Sequence, residues 1–271
     1  MYLFFRPLQQ IINTLPALMI VVVIFFASCQ KADMLLSKET LSAGSGNSTA
    51  EAGVTANYTP FYWSTLMVSN VTTENNIYTT TNSLDSVTWT GVNGAASYFC
   101  RTDCSGLITK LLKQTYGYSD AYFISWTGLR NPYAVTYYNE IKAKDHFTQI
   151  TNISKILQGD IIAIKYPESA SNTGHTMLVA ASPVLRSSTA PLISGTRQFE
   201  LSVIDQSSSG HGSTDTRYIS SGNFNDGIGR GIFRLYVNSK GAITGYTWST
   251  YSTSVYYTQA ERPLLVGRLI P

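Results

Sequence analysis

Cys104, His175 and Asp205 are the residues of this chain whose types and surroundings suit nucleophilic chemistry. Leu107, Ile108, Leu111 and Leu112 recur at helical spacing, Asp103 is a natural N-cap and Gly117 a natural C-cap. Cys104 therefore opens a helix, where free backbone N–H groups and the positive end of the dipole stabilise a thiolate and can also steady an oxyanion. A nucleophilic thiol needs a base within hydrogen-bond reach, and the base need not be near in sequence. His175 begins an apolar strand and shares a face with Met177 and Val179; Asp205 ends another, on the face of Phe199, Leu201 and Val203. If those faces pack toward the helix, thiol, imidazole and carboxylate meet at one edge of a sheet. Taken singly, each residue has an ordinary structural role: a small buried thiol, a satisfied strand histidine, a strand-end carboxylate.

The elements that must position them can be read coarsely. Residues 61–99 read as irregular, rich in Thr and Asn with several aromatics. Strand signals follow the Cys104 helix at residues 160–165, 175–181 and 199–205, the last alternating with a period of two. Residues 231–237 and 242–248 flank a turn at Asn238-Ser239-Lys240-Gly241 and read as a hairpin, with a last strand at 264–269. Helix first and antiparallel strands later is an α+β order, not βαβ alternation.

Order and surroundings resemble the NlpC-type cysteine peptidases, a branch of the papain-like fold that cleaves cell-wall peptides. Asp103-Cys104-Ser105-Gly106 before an apolar helix looks like that family's nucleophile signature. Gln158-Gly159-Asp160-Ile161-Ile162 is similar to its Gly-Asp strand opening, and Gly174-His175 followed by an apolar run is similar to the strand that carries its base. The related CHAP amidases share the Cys-then-His order. The resemblance implies a papain-like α+β fold, with the nucleophile helix packed on an antiparallel sheet. It also implies Cys104 as nucleophile, His175 as base, and Asp103 and Ser105 as contacts to the substrate's free amine. The family's third polar residue usually lies shortly beyond the base as His, Asn or Gln, yet residues 184–188 contain none. Asp205 is the substitute read here, with His211 in reserve for that position or for a polar substrate cleft around residues 205–217. Tyr98 does not match the family's tyrosine spacing and is given no oxyanion role.

Other residues carry less. Cys100 and Cys104 would form a tight, strained loop if bridged, so Cys100 is read as a free thiol. His146, beside Asp145, is read as surface. Gly227, Gly229 and Gly231 lack dinucleotide spacing and a following helix. Three scattered histidines offer no catalytic metal cluster, and no cofactor is expected.

Composition sets the remaining bounds. The 271 residues are 44% hydrophobic and 13% charged, with a formal net charge of +3 and no basic stripe, which speaks against nucleic acid as a partner. Residues 15–27, LPALMIVVVIFFA, are long enough for a secretory h-region and short of a spanning helix. Ala27-Ser28-Cys29 resembles a lipobox, which implies lipidation at Cys29 and removal of residues 1–28. Gln30, in place of the Asp associated with inner-membrane retention, points to an outer-membrane lipoprotein on the periplasmic or surface face. Residues 30–57 read as a small-residue flexible tether and 58–271 as one hydrolase domain, expected to be a monomer acting on a cell-wall peptide. Two rivals stand beside the hydrolase: an acyltransferase of the same fold, and a non-catalytic envelope lipoprotein that binds glycan or peptide on its tyrosines and tryptophans.

Overall fold

The computed structural model describes residues 58–271; the leader, Cys29 and the tether at 30–57 lie outside the described residues. The described residues hold four α-helices: α1 (Pro60–Asn70), α2 (Cys104–Tyr116), α3 (Asp120–Thr127) and α4 (Ala134–Ala143). Helix α1 replaces the irregular chain expected across the start of 61–99. Thr59 caps it by accepting from the Tyr62 amide at 3.2 Å, and Pro60 sits where a missing N–H costs nothing. Its aromatic and aliphatic residues are spread around the whole helix, so no single apolar stripe announces it in the sequence.

Between α1 and α2, β1 (Asn76–Tyr78), β2 (Ser86–Thr88) and β3 (Phe99–Thr102) form a small sheet in the order β1-β3-β2. Strand β1 runs parallel to β3 and β2 antiparallel to it. After α4 come β4 (Phe147–Ile150), β5 (Ile161–Lys165), β6 (Gly174–Val179), β7 (Val184–Leu185) and β8 (Thr196–Ser207). A short hairpin of β9 (Tyr218–Ser220) and β10 (Asn223–Phe224) leads to β11 (Gly227–Asn238), β12 (Ile243–Thr247), β13 (Tyr257–Thr258) and β14 (Leu264–Leu269). The main sheet has nine strands in the order β13-β12-β11-β8-β6-β5-β14-β4, with β7 on β8. Every pairing in it is antiparallel. The α+β architecture and the strands expected at 160–165, 175–181 and 199–205 are therefore present as neighbours.

The sheet is covered on both faces, which explains why β5 reads as an unbroken apolar run instead of alternating. Ile161, Ala163, Leu178 and Ile204 join a core with Leu107, Ile108, Leu111 and Leu112 of α2 and with Tyr137 and Ile141 of α4. Ile162, Ile164, Met177, Val179, Leu201 and Val203 join the second core with Phe233, Leu235 and Tyr246. The four apolar side chains of α2 are at most 1% exposed. At roughly 2 kcal/mol for each fully buried aliphatic side chain, they fix the helix firmly on the sheet.

Candidate active site

The start of α2 is set by local hydrogen bonding. Asp103 Oδ1 accepts from the Gly106 amide at 2.6 Å and from the Ser105 hydroxyl at 3.0 Å, so the carboxylate caps the helix whose first residue is Cys104. Gly117 closes the helix in the left-handed conformation, φ 70°. Gly106 cannot be larger: a Cβ there would collide with Thr102 Oγ1 and stand 2.9 Å from Asp85 Oδ2. The fourth residue of Asp-Cys-Ser-Gly is thus glycine because strand β3 lies directly against the helix start. Asp103 and Ser105, expected to meet substrate, are bonded to one another in this cap, although both still line the cavity beside Cys104.

On the sheet, His175 Nε2 lies 2.7 Å from Asp205 Oδ2. The same oxygen takes His211 Nε2 at 3.1 Å, while Asp205 Oδ1 accepts from Arg217 Nη2 at 2.7 Å. Arg217 also holds Asp215, through Nε at 2.9 Å and Nη2 at 2.9 Å, and donates to the Gly227 carbonyl. All of these groups are buried: Asp205 is 1% exposed, Arg217 2%, His211 3% and Asp215 5%. Burial alone would raise the pKa of Asp205; the Arg217 and His211 charges and both imidazole hydrogen bonds outweigh it and hold the carboxyl well below the usual range. Burial likewise works against a charge on His175. The influence of Cys104, followed by the Asp205 hydrogen bond and the Asp205 charge, overcomes it and raises the imidazole to about 10.

The structure sets Cys104 beside Gly174, the residue before His175, and bonds Asp205 to the imidazole. The route differs from the one the strand pattern suggested. Met177, Val179, Leu201 and Val203, which alternate in phase with His175 and Asp205, pack in the second core and not against α2. His175 lies at the very beginning of β6, next to Gly174, which lines one cavity with Cys104, so the approach is at the end of the strand instead of across its face. Gly174 has φ 149°, and a Cβ there would run into the Ile164 carbonyl and lie 3.3 Å from Ala134 of α4.

Two cavities flank the pair. One of about 440 Å³ is lined by Cys104 with Tyr78, Asp103, Ser105, Tyr133 and Asn172. The other, about 190 Å³, is polar and lies beside His175, bounded by Tyr166, Ser207, Ser209, His211 and Trp248. Trp248 meets the His175 ring edge-on, with centroids 5.3 Å apart. His211, expected either as the third polar residue or in a substrate cleft, borders the second cavity and bonds Asp205 rather than His175.

Several site residues had no sequence signal. Tyr78 ends β1 and lines the cavity with Cys104 and Asp103; burial, and then the charges of Cys104, Asp103 and Asp205, raise its phenol to about 12. Tyr166 is held by Arg262, whose guanidinium stands 4.6 Å above its ring and 4.2 Å above that of Tyr257. Arg217 lay within the polar run after Asp205, but nothing in the sequence distinguished it from a surface charge. Cys100 is free and fully buried; burial, followed by the Asp85 charge, pushes its thiol strongly upward. His146 is partly exposed, adopts φ 56° and packs at 4.6 Å on the Trp126 ring.

No family model matches the chain, and no solved structure matches it. It is 35% identical over 215 residues to an uncharacterized protein of Acanthamoeba polyphaga mimivirus, an alignment covering 76% of this chain and 94% of the relative. The chain belongs to the family of that viral protein.

Proposed function

We propose that the chain is a cysteine hydrolase of papain-like, NlpC-type architecture that cleaves amide bonds through a thioester. One observation carries the reading: Cys104 at the first turn of α2 shares a cavity wall with Gly174, next to His175, whose Nε2 is 2.7 Å from a buried carboxylate. Since Nε2 of His175 is engaged by Asp205, Nδ1 is the nitrogen left for the thiol. In the reaction, Nδ1 takes the thiol proton and the sulfur attacks the substrate carbonyl. The free N–H groups of the helix start and the Tyr78 phenol are the donors available to the oxyanion. Collapse expels the amine, which takes the proton from His175, and water then resolves the thioester with His175 as base. Asp205 keeps the imidazole in the tautomer and orientation that both steps need. The acyl portion is assigned to the larger cavity, whose wall includes Cys104, and no cofactor takes part.

Cell-wall peptides are the substrate class we favour. The support is the resemblance of Asp103-Cys104-Ser105-Gly106, Gly159-Asp160 and Gly174-His175 to the NlpC series, together with the lipobox-like Cys29 that would place the domain at an outer membrane. The test is cleavage of purified peptidoglycan fragments by the domain, read by mass spectrometry, with Cys104→Ala as control. Competing amines in the same assay separate hydrolysis from acyl transfer, and retention of intact fragments without cleavage would favour the binding-module rival.

A further inference from the structure

His211 is a buried histidine whose two ring nitrogens both face atoms that can only accept. Nδ1 lies 2.7 Å from the Trp248 carbonyl oxygen, and Nε2 lies 3.1 Å from Asp205 Oδ2. A neutral imidazole donates from one nitrogen only, so filling both contacts requires a hydrogen on each. The setting tolerates the resulting charge. Asp205 on β8 and Asp215 on the loop of His211 supply two buried negative charges, and Arg217 supplies one positive charge. Beside the His175 imidazolium and the Cys104 charge, which offset each other, that group of four is neutral with His211 as a cation and carries one negative charge without it. From β6, His175 shares the Asp205 oxygen; the other walls are aromatic, β11 contributing Phe233, edge-on at 6.0 Å, and the chain after β12 Trp248, tilted at 6.1 Å. The site is also held tightly. The His211 amide donates to Asp215 Oδ2 at 2.8 Å, and any side chain at Gly231 of β11 would press on His211 Cβ and Asp215.

We propose that His211 is a positioning residue held as an imidazolium, a fixed cation that pins the Asp205 oxygen shared with His175 and so sets how firmly His175 keeps its proton. The proposal rests on the Cys104–His175 pairing of the preceding section and adds a second histidine to it. Asp205 alone would bind the His175 proton too strongly for easy release to a leaving amine. A second cation on the same oxygen offsets part of that field while leaving the hydrogen bond that orients the ring.

The test compares the full chain with His211→Gln, which can keep a donor toward Asp205 and removes the charge. Cys104 is alkylated with iodoacetamide across pH, and ¹⁵N-histidine spectra of the unsubstituted protein are recorded at pH 7. The expected spectrum shows both His211 ring nitrogens protonated. The expected rate profile has its alkaline inflection, belonging to His175, moved upward in His211→Gln by about half a pH unit or more, since a nearby lost cation favours retention of the proton. A purely structural role would lower stability and leave the inflection in place, and that result overturns the proposal. A singly protonated His211 at pH 7 overturns it as well, and decides the matter if His211→Gln does not fold. Neither readout needs a substrate, so a shifted inflection with no amide cleaved supports the proposal while the hydrolase reading fails.

Discussion

His175 is bound to Asp205 through Nε2, at 2.7 Å, and that contact determines which side of the imidazole can serve Cys104. A histidine committed through Nε2 to a carboxylate 1% exposed cannot rotate without stranding the charge. The ring is therefore fixed by the fold, and a base at this position would be preorganised before any substrate arrived.

Asp205 carries more than an orienting role, because Arg217 and His211 also depend on it. Asp205→Ala leaves a buried guanidinium short of one counter-charge, and the expected loss is about 3 kcal/mol or more of unfolding free energy, read from urea denaturation at pH 7. Its folded pKa is lowered, so its contribution to stability is complete above the unfolded value of about 3.9 and disappears as pH falls through the folded one. The stability gap between the unsubstituted protein and Asp205→Ala should therefore narrow in acid. For alkylation of Cys104, His175→Ala should cost more than Asp205→Ala, provided the latter is assayed where it is folded.

Burial opposes a charge on His175, and the Cys104 charge is the largest of the influences that overcome it. Cys104→Ala removes that charge while leaving Asp205 in place. The imidazole of His175, held at about 10 in the intact site, should then titrate at lower pH. An NMR titration of the histidine ring protons in both proteins checks this; an unchanged titration would mean that thiol and imidazole are not coupled.

Asp85, beside the start of α2, offers a test that needs no substrate. Both carboxylate oxygens are buried, and burial followed by repulsion from Asp103 raises the group to about 6. A raised carboxyl favours the fold when protonated, so stability should fall as pH rises from about 4, the unfolded value, to about 6. Asp85→Asn should flatten that fall and raise the urea midpoint at pH 7 relative to the unsubstituted protein.

Cys29 is the expected point of attachment to a membrane and can be tested independently of the fold. Expression in a bacterial host with labelled fatty acid should yield a labelled protein, and Cys29→Ser should abolish the label. An intact N-terminus, or an unlipidated mature Cys29, would remove the anchored reading while leaving the hydrolase reading untouched.

The helix that Cys104 opens was legible in the sequence because its determinants are local. The cap at Asp103, the apolar spacing from Leu107 to Leu112 and the left-handed stop at Gly117 all act within one helix. The strands of the main sheet were legible for a similar reason, since β5, β6 and β8 are marked by short apolar or alternating runs. Helix α1 was not, because aromatics on every side leave no period to detect. Tyr78 and Arg217 were invisible because only tertiary folding brings β1 and the chain after Asp205 to the site. The alternation rule correctly put His175 and Asp205 in phase with Met177 and Leu201. It could not reveal that α2 packs on the opposite core and that the meeting point is the end of β6.

The most direct measurement is mass analysis of peptidoglycan stem-peptide fragments after incubation with the purified chain and, in parallel, with Cys104→Ala and His175→Ala. The account predicts release of a fragment cut at an amide bond by the unsubstituted protein and a brief mass increase on Cys104 equal to the acyl half. Both variants should remain folded and leave the fragments intact. Cleavage by Cys104→Ala at the rate of the unsubstituted protein would contradict the account.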